Sequence, residues 1–152
     1  MTSPYWDQFT PDFVRTADVG FADEFSRLAV QKGWKTRSDI WHKERLQCYS
    51  QEFEALYGSA SHLEGWARLC AEVGETEIPV SITQAKKMLR GTCVNLVDLM
   101  ECRATQKTVA VHESKKALRV YSRKTKKIFP REEAKQNGFL KVLLTEMGGR
   151  RA

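Results

Sequence analysis

Only four prolines and nine glycines occur in the 152 residues, and they punctuate segments of helical spacing. That scarcity leaves little material for the frequent turns of an all-β chain. No run approaches the roughly 20 apolar residues that a membrane span needs. The opening MTSPYWDQF also lacks the basic start and apolar stretch of a secretory leader, so a soluble, unsecreted protein is expected. Four cysteines, Cys48, Cys70, Cys93 and Cys102, stand 22, 23 and 9 residues apart without a CxxC pair. That spacing is no disulfide framework, and it favours reduced thiols in an intracellular compartment.

Chemistry-bearing groupings are equally scarce. His42, His62 and His112 are isolated, and short-spaced ligand pairs are what a zinc site in a helical protein shows, so no metal is expected. No nucleophile lies beside a suitable base and no glycine-rich phosphate loop is present. His112 and Ser114 are near in sequence, but capping explains the serine. Glu132 and Glu133 suit a first helical turn, where acidic groups favour the dipole. The expectation is therefore no enzyme, no catalytic residue, no cofactor and no small-molecule ligand.

What the chain does have is apolar bulk and an uneven charge. Hydrophobic residues make up 41% of it, including four Trp, four Tyr and seven Phe, enough for one core in a chain of this length. The net charge of +6 divides sharply: residues 1–80 hold 8 basic against 13 acidic side chains, and residues 81–152 hold 17 against 6. A one-signed half concentrates oppositely charged partners. It can also meet an acidic surface of its own kind, and the two halves can neutralise each other.

The periodicity predicts an all-α, compact single-domain bundle of about six or seven short helices. Residues 1–17 are expected as an N-terminal extension, 18–147 as the helical domain and 148–152 as a frayed tail. Phe21, Phe25, Leu28 and Ala29 form one stripe that ends at Gly33, with Trp34 folding back on the core. Ser38 and Gly58 suit the two ends of a long helix burying Trp41, Cys48, Tyr49, Phe53 and Leu56. Ser61 and Glu64 have capping-box spacing ahead of Leu63, Trp66, Leu69, Cys70 and Val73, and Ser81 with Gln84 repeats it ahead of Ile82, Ala85 and Leu89. The run CVNLVDLMEC, residues 93–102, reads as helix or strand, with helix preferred because VAV at 109–111 is too short to offer a partner strand. Ser114 can cap a helix through about Lys126, Pro130 opens another over REEAKQ, and FLKVLLTEM forms a last amphipathic piece.

The stretch KKALRVYSRKTKKIF, residues 115–129, carries seven Lys or Arg and no acid. As a helix it places Lys115, Arg119, Arg123 and Lys126 within about 80° of arc, with Ala117, Leu118 and Tyr121 opposite. Lys116, Lys124 and Lys127 widen the stripe, and like charges at i, i+4 repel by a few tenths of a kcal/mol per pair. A phosphate backbone would offset that repulsion. Lys86, Lys87 and Arg90 on the SITQ helix are candidates to extend the surface. Gln84 and Arg119 are available to read a groove, but many positions offer such residues, so sequence-specific DNA recognition is not supported and sequence-nonspecific binding is expected. Tyr121 and Phe129 could stack on bases but fit better as core anchors. SRKTKK also has the look of a nuclear-localisation cluster. Membrane-surface binding is not expected, because the apolar side of the helix is modest.

The segments WARLC, SITQAKKML, VNLVDLMECR and KIFPREEAKQNGFLKVLL together resemble a pattern found in short basic proteins of filamentous fungi, from about Phe21 to Leu144. Those proteins carry no assigned activity, so the resemblance implies a fungal intracellular protein and transfers no site residues. The expected function is a helical binding module whose basic half contacts nucleic acid or chromatin mainly through phosphate. The runner-up is a protein-interaction or self-association module in which the acidic and basic surfaces meet.

Overall fold

A computed structural model describes residues 3–58 and 62–130. The helices expected over REEAKQ and FLKVLLTEM, the tail, and the Ser61 half of the capping box lie outside the described residues. Within them the chain is mostly helical: a 3-10 helix Pro4–Phe9, then α1 Phe21–Lys32, α2 Asp39–Tyr57, α3 Leu63–Glu72, α4 Ile82–Leu89, α5 Leu96–Thr105 and α6 Lys115–Thr125. A two-stranded antiparallel ribbon, β1 Cys93–Val94 and β2 Val111–His112, completes it.

The local signals explain most boundaries. At the end of α1, Gly33 takes φ 72°, and its N–H bonds to the Val30 carbonyl while the Trp34 N–H reaches Ala29 at 2.9 Å. That pair of bonds closes the helix with a left-handed residue that only glycine adopts without strain. Trp34 is thereby turned back against Phe9 and Phe25. Ser38 Oγ accepts the Trp41 N–H at 3.3 Å to start α2, and Ser81 Oγ accepts the Gln84 N–H at 3.1 Å to start α4. Gln84 in turn accepts the Val80 N–H at 2.7 Å, so the side chains on both sides of the boundary satisfy orphan donors.

α2 is the centre of the packing, touching the 3-10 helix, α1 and α5, while α3 and α4 pack on each other. Its Cys48, Tyr49, Phe53 and Tyr57 are buried, whereas Trp41 and Leu56 pack against the core from half-buried positions. The core continues through Phe21, Phe25 and Leu28 of α1, Trp66 and Leu69 of α3, Leu89 of α4, and Leu99 and Met100 of α5.

Two expectations are corrected. Residues 93–102 are not a single helix: Cys93 and Val94 are extended and pair with His112 and Val111. The helix begins only at Leu96, after Asn95, whose side chain accepts the Asp98 N–H at 3.0 Å. An N-cap residue requires extended backbone, so the cap itself feeds the strand, and a two-residue partner is too short for periodicity to detect. Nor is the N-terminal segment an extension. Tyr5, Trp6 and Phe13 are buried in the main core, and the segment is tied to α2 by Glu52. That carboxylate, 4% exposed, accepts the Ser3 N–H and the Trp6 Nε1–H, both at 3.2 Å, and pairs with Arg15 at 2.9 Å. A buried charge held by three donors is the arrangement that keeps its desolvation from unfolding the site.

Glu101 of α5 makes a second tertiary link. α1 starts at Gly20, which has no side chain to cap it, and the Glu101 carboxylate sits at that end instead, accepting the Ala22 N–H at 3.4 Å. A Cβ on Gly20 would stand 2.1 Å from Glu101 Oε2. A side chain at this position would therefore displace the end of the Glu101 side chain, while the backbone, at φ −61°, is within reach of any residue. Burial pushes the Glu101 carboxyl above the usual carboxylate range despite that bond.

Candidate nucleic-acid interface

α6 is capped by Ser114, whose hydroxyl accepts the Ala117 N–H at 3.0 Å, and it ends at Lys126 with φ 61°. It packs on β1 and β2, and among its residues only Leu118 is fully buried. Tyr121 points inward as well: its ring lies 4.7 Å from that of His112, and its hydroxyl donates to Asp98 Oδ2 at 2.5 Å. Lys127 Nζ donates to the other Asp98 oxygen at 2.6 Å. Asn95, the cap of α5, adds two bonds of 2.9 Å, to Ser122 Oγ and to the Lys127 carbonyl. The chain then returns to α2, where Arg45 donates to the Ile128 carbonyl and Phe129 packs on Tyr49 and Phe53.

These contacts separate the cations into two kinds. Lys115, Lys116, Arg119, Arg123, Lys124 and Lys126 are exposed, and among the described residues none of them has an acidic partner. Lys127, expected among the contacting residues, is instead held by Asp98 with its side chain 35% exposed. Asp98 raises the Lys127 ammonium above its ordinary range, outweighing the cost of partial burial, and burial together with Asp98 raises the Tyr121 phenol. Lys127 is thus an anchor of the surface more than part of it.

The α4 cations are arranged differently. Lys86 is half-buried with its ammonium 5.7 Å from the Trp66 ring centre, and Lys87 and Arg90 are exposed. They stand on a helix that packs against α3, whereas α6 is carried by the ribbon. The dense unit is α6 and its cap.

Helix electrostatics sharpen the contrast. Lys115 and Lys116 occupy the first turn of α6, where no acid is present and the helix dipole disfavours positive charge. Each costs about 0.3–1 kcal/mol there.

The acidic half offers few unused carboxylates close to its core. Glu24 pairs with Arg27 at 2.8 Å, Glu44 accepts the Tyr5 hydroxyl at 2.8 Å, Glu52 takes its three donors, and Glu72 accepts from Arg103 at 2.9 Å and Tyr57 at 3.1 Å. The four cysteines are free thiols, and burial pushes Cys48, Cys70 and Cys102 above the ordinary thiol range, away from reactive thiolate. Among the described residues no helix is long and apolar enough to cross a membrane.

Asp98 and Glu101 were invisible as site residues in the sequence. Each reads there as an ordinary helix acid, and only the fold brings Asp98 to Tyr121 and Lys127. Comparison with known proteins finds no family model that matches the chain, and no match among curated proteins or solved structures.

Proposed function

We propose that the protein is a non-enzymatic helical binding module that contacts nucleic acid or chromatin through the phosphate backbone, using α6. The supporting observation is the set of six exposed cations, Lys115, Lys116, Arg119, Arg123, Lys124 and Lys126, without acidic partners among the described residues, on a helix whose opposite side is fixed by Leu118, Tyr121 and Asp98. Lys87 and Arg90 would add long-range attraction, and SRKTKK suits a nuclear place of action. Neutralising three to six phosphates gives a slope of about −3 to −5 in log K against log salt, a loss of roughly fiftyfold to a thousandfold in affinity between 50 and 200 mM. Fluorescence anisotropy against mixed-sequence DNA and RNA tests this. Micromolar binding with that slope supports it, and no binding at 50 mM salt ends it.

A second reading rests on one loop. Ile78 and Val80 are 78% and 81% exposed beside Glu75 and Glu77, an acidic, apolar segment that could seat on α6 of a second copy. A salt-sensitive dimer in light scattering, without nucleic-acid affinity, would favour that self-association.

A further inference from the structure

Knowing which side of α6 is buried fixes which side faces out, and that side has more than charge. With about 100° per residue, Lys116, Arg119, Val120 and Arg123 stand at i, i+3, i+4 and i+7 and point away from Leu118 and Tyr121. Lys115 and Lys126 flank this stripe on one margin, and Lys124 flanks it on the other, so the cations span roughly half the circumference. Val120, in the middle of them, is 59% exposed. A helix lying flat on one phosphate row would use a narrow cationic stripe and would give a central valine nothing to touch. A helix between two phosphate rows would use both margins.

We propose that α6 enters the major groove of duplex DNA, an inference that rests on reading this helix as the nucleic-acid surface. Lys115 and Lys126 contact phosphates of one strand and Lys124 those of the other. Arg119 and Arg123 reach guanine edges, and Val120 packs on a thymine methyl group. The dimensions agree: the major groove is about 12 Å wide, and a helix with its side chains measures about 10–12 Å across. Four residues of helix advance about 6 Å, close to two base-pair steps, so the two arginines address neighbouring positions along the groove. Arginine is the side chain best matched to guanine O6 and N7, and small apolar groups suit the thymine methyl. α6 is also placed to project, since it has one fully buried residue and packs on a two-stranded ribbon.

Other nucleic acids fit less well. The major groove of an RNA duplex is too deep and narrow for side chains to read. Single strands are held by exposed aromatic platforms, yet Tyr121 is bound to Asp98 and Phe129 is buried.

Anisotropy with 20-base-pair DNA and RNA duplexes of equal sequence, at about 50 mM salt, tests the proposal. DNA is expected to bind at least tenfold more tightly. Methyl green, which occupies the major groove, should displace the protein, and distamycin, which occupies the minor groove, should not. Arg119→Lys with Arg123→Lys keeps the charge, so the salt slope should hold while the preference for G·C-containing over A·T-only duplexes shrinks, because lysine lacks the planar fork that matches guanine O6 and N7. Val120→Glu should weaken DNA binding more than tenfold, with circular dichroism melting confirming the fold. Equal affinity for the two duplexes, or binding that survives methyl green, overturns the groove assignment and leaves the phosphate reading standing. No binding to either duplex removes both.

Discussion

Replacing Asp98 by alanine separates what stabilises α6 from what makes it cationic. The carboxylate accepts from Tyr121 at 2.5 Å and from Lys127 at 2.6 Å, with its own side chain 15% exposed. A hydrogen bond to a charged group contributes about 1.5–3 kcal/mol. That figure applies to Tyr121, but the Lys127 ammonium is 35% exposed, and solvent screening reduces its share to about 0.5–1 kcal/mol. Loss of an acid from the first turn of α5 adds a few tenths. The sum is about 2–4 kcal/mol, a fall in Tm of roughly 10 °C for a chain of this size. The same change removes a negative charge and frees Lys127, so DNA affinity at 20 °C should rise severalfold and the salt slope should steepen by about one. A variant that is less stable yet binds more tightly is the signature. Far-UV circular dichroism melts and anisotropy titrations measure the two effects. In a double-mutant cycle Tyr121→Phe should cost about 1–3 kcal/mol alone and almost nothing beside Asp98→Ala. A Tm within about 2 °C of the parent, or additive effects in the cycle, would refute the anchoring of α6 through Asp98.

Other perturbations have comparably definite outcomes. Lys115→Glu and Lys116→Glu should each stabilise α6 by about 0.3–1 kcal/mol while weakening nucleic-acid binding, readable from urea unfolding and anisotropy on the same samples. Gly20→Ala should displace the Glu101 carboxylate from the start of α1 and cost about 0.5–1 kcal/mol through the lost bond to the Ala22 N–H, and almost nothing in a Glu101→Ala background, read from urea unfolding. Burial pushes the Glu24 carboxyl up, but Arg27 and the Thr16 N–H outweigh it and hold it below its ordinary range. Its contribution is therefore present above the unfolded value of about 4.3 and is lost as pH falls through the lower folded value. Glu24→Gln should be less stable than the parent at pH 7 and show a shallower acid limb in urea midpoints between about pH 5 and 2.

The sequence was most readable where a local rule decides the outcome. Ser38, Ser81 and Ser114 each cap the helix expected of them, Gly33 closes α1, and the Leu118–Tyr121 side of α6 faces inward as its spacing requires. What local rules do not reach is pairing across long separations. The ribbon joins Cys93 to His112 with too few residues to leave an alternating pattern. Glu52 looks like a solvated helix acid until Ser3, Trp6 and Arg15 arrive, and the aromatic N-terminus looks loose for the same reason. Lys127 belongs to the basic run by composition and to Asp98 by geometry.

The seating of Ser3 and Trp6 on Glu52 also bears on how the chain folds during synthesis. These partners are 49 and 46 residues apart, so Ser3 and Trp6, once synthesised, cannot complete their burial until most of α2 has followed. At translation rates of about 5–20 residues per second, Tyr5, Trp6 and Phe13 remain without their core for seconds. With Trp34, Trp41 and Trp66 replaced by phenylalanine, Trp6 becomes a clock, and the quench or blue shift of its fluorescence would mark the moment at which α2 receives this segment.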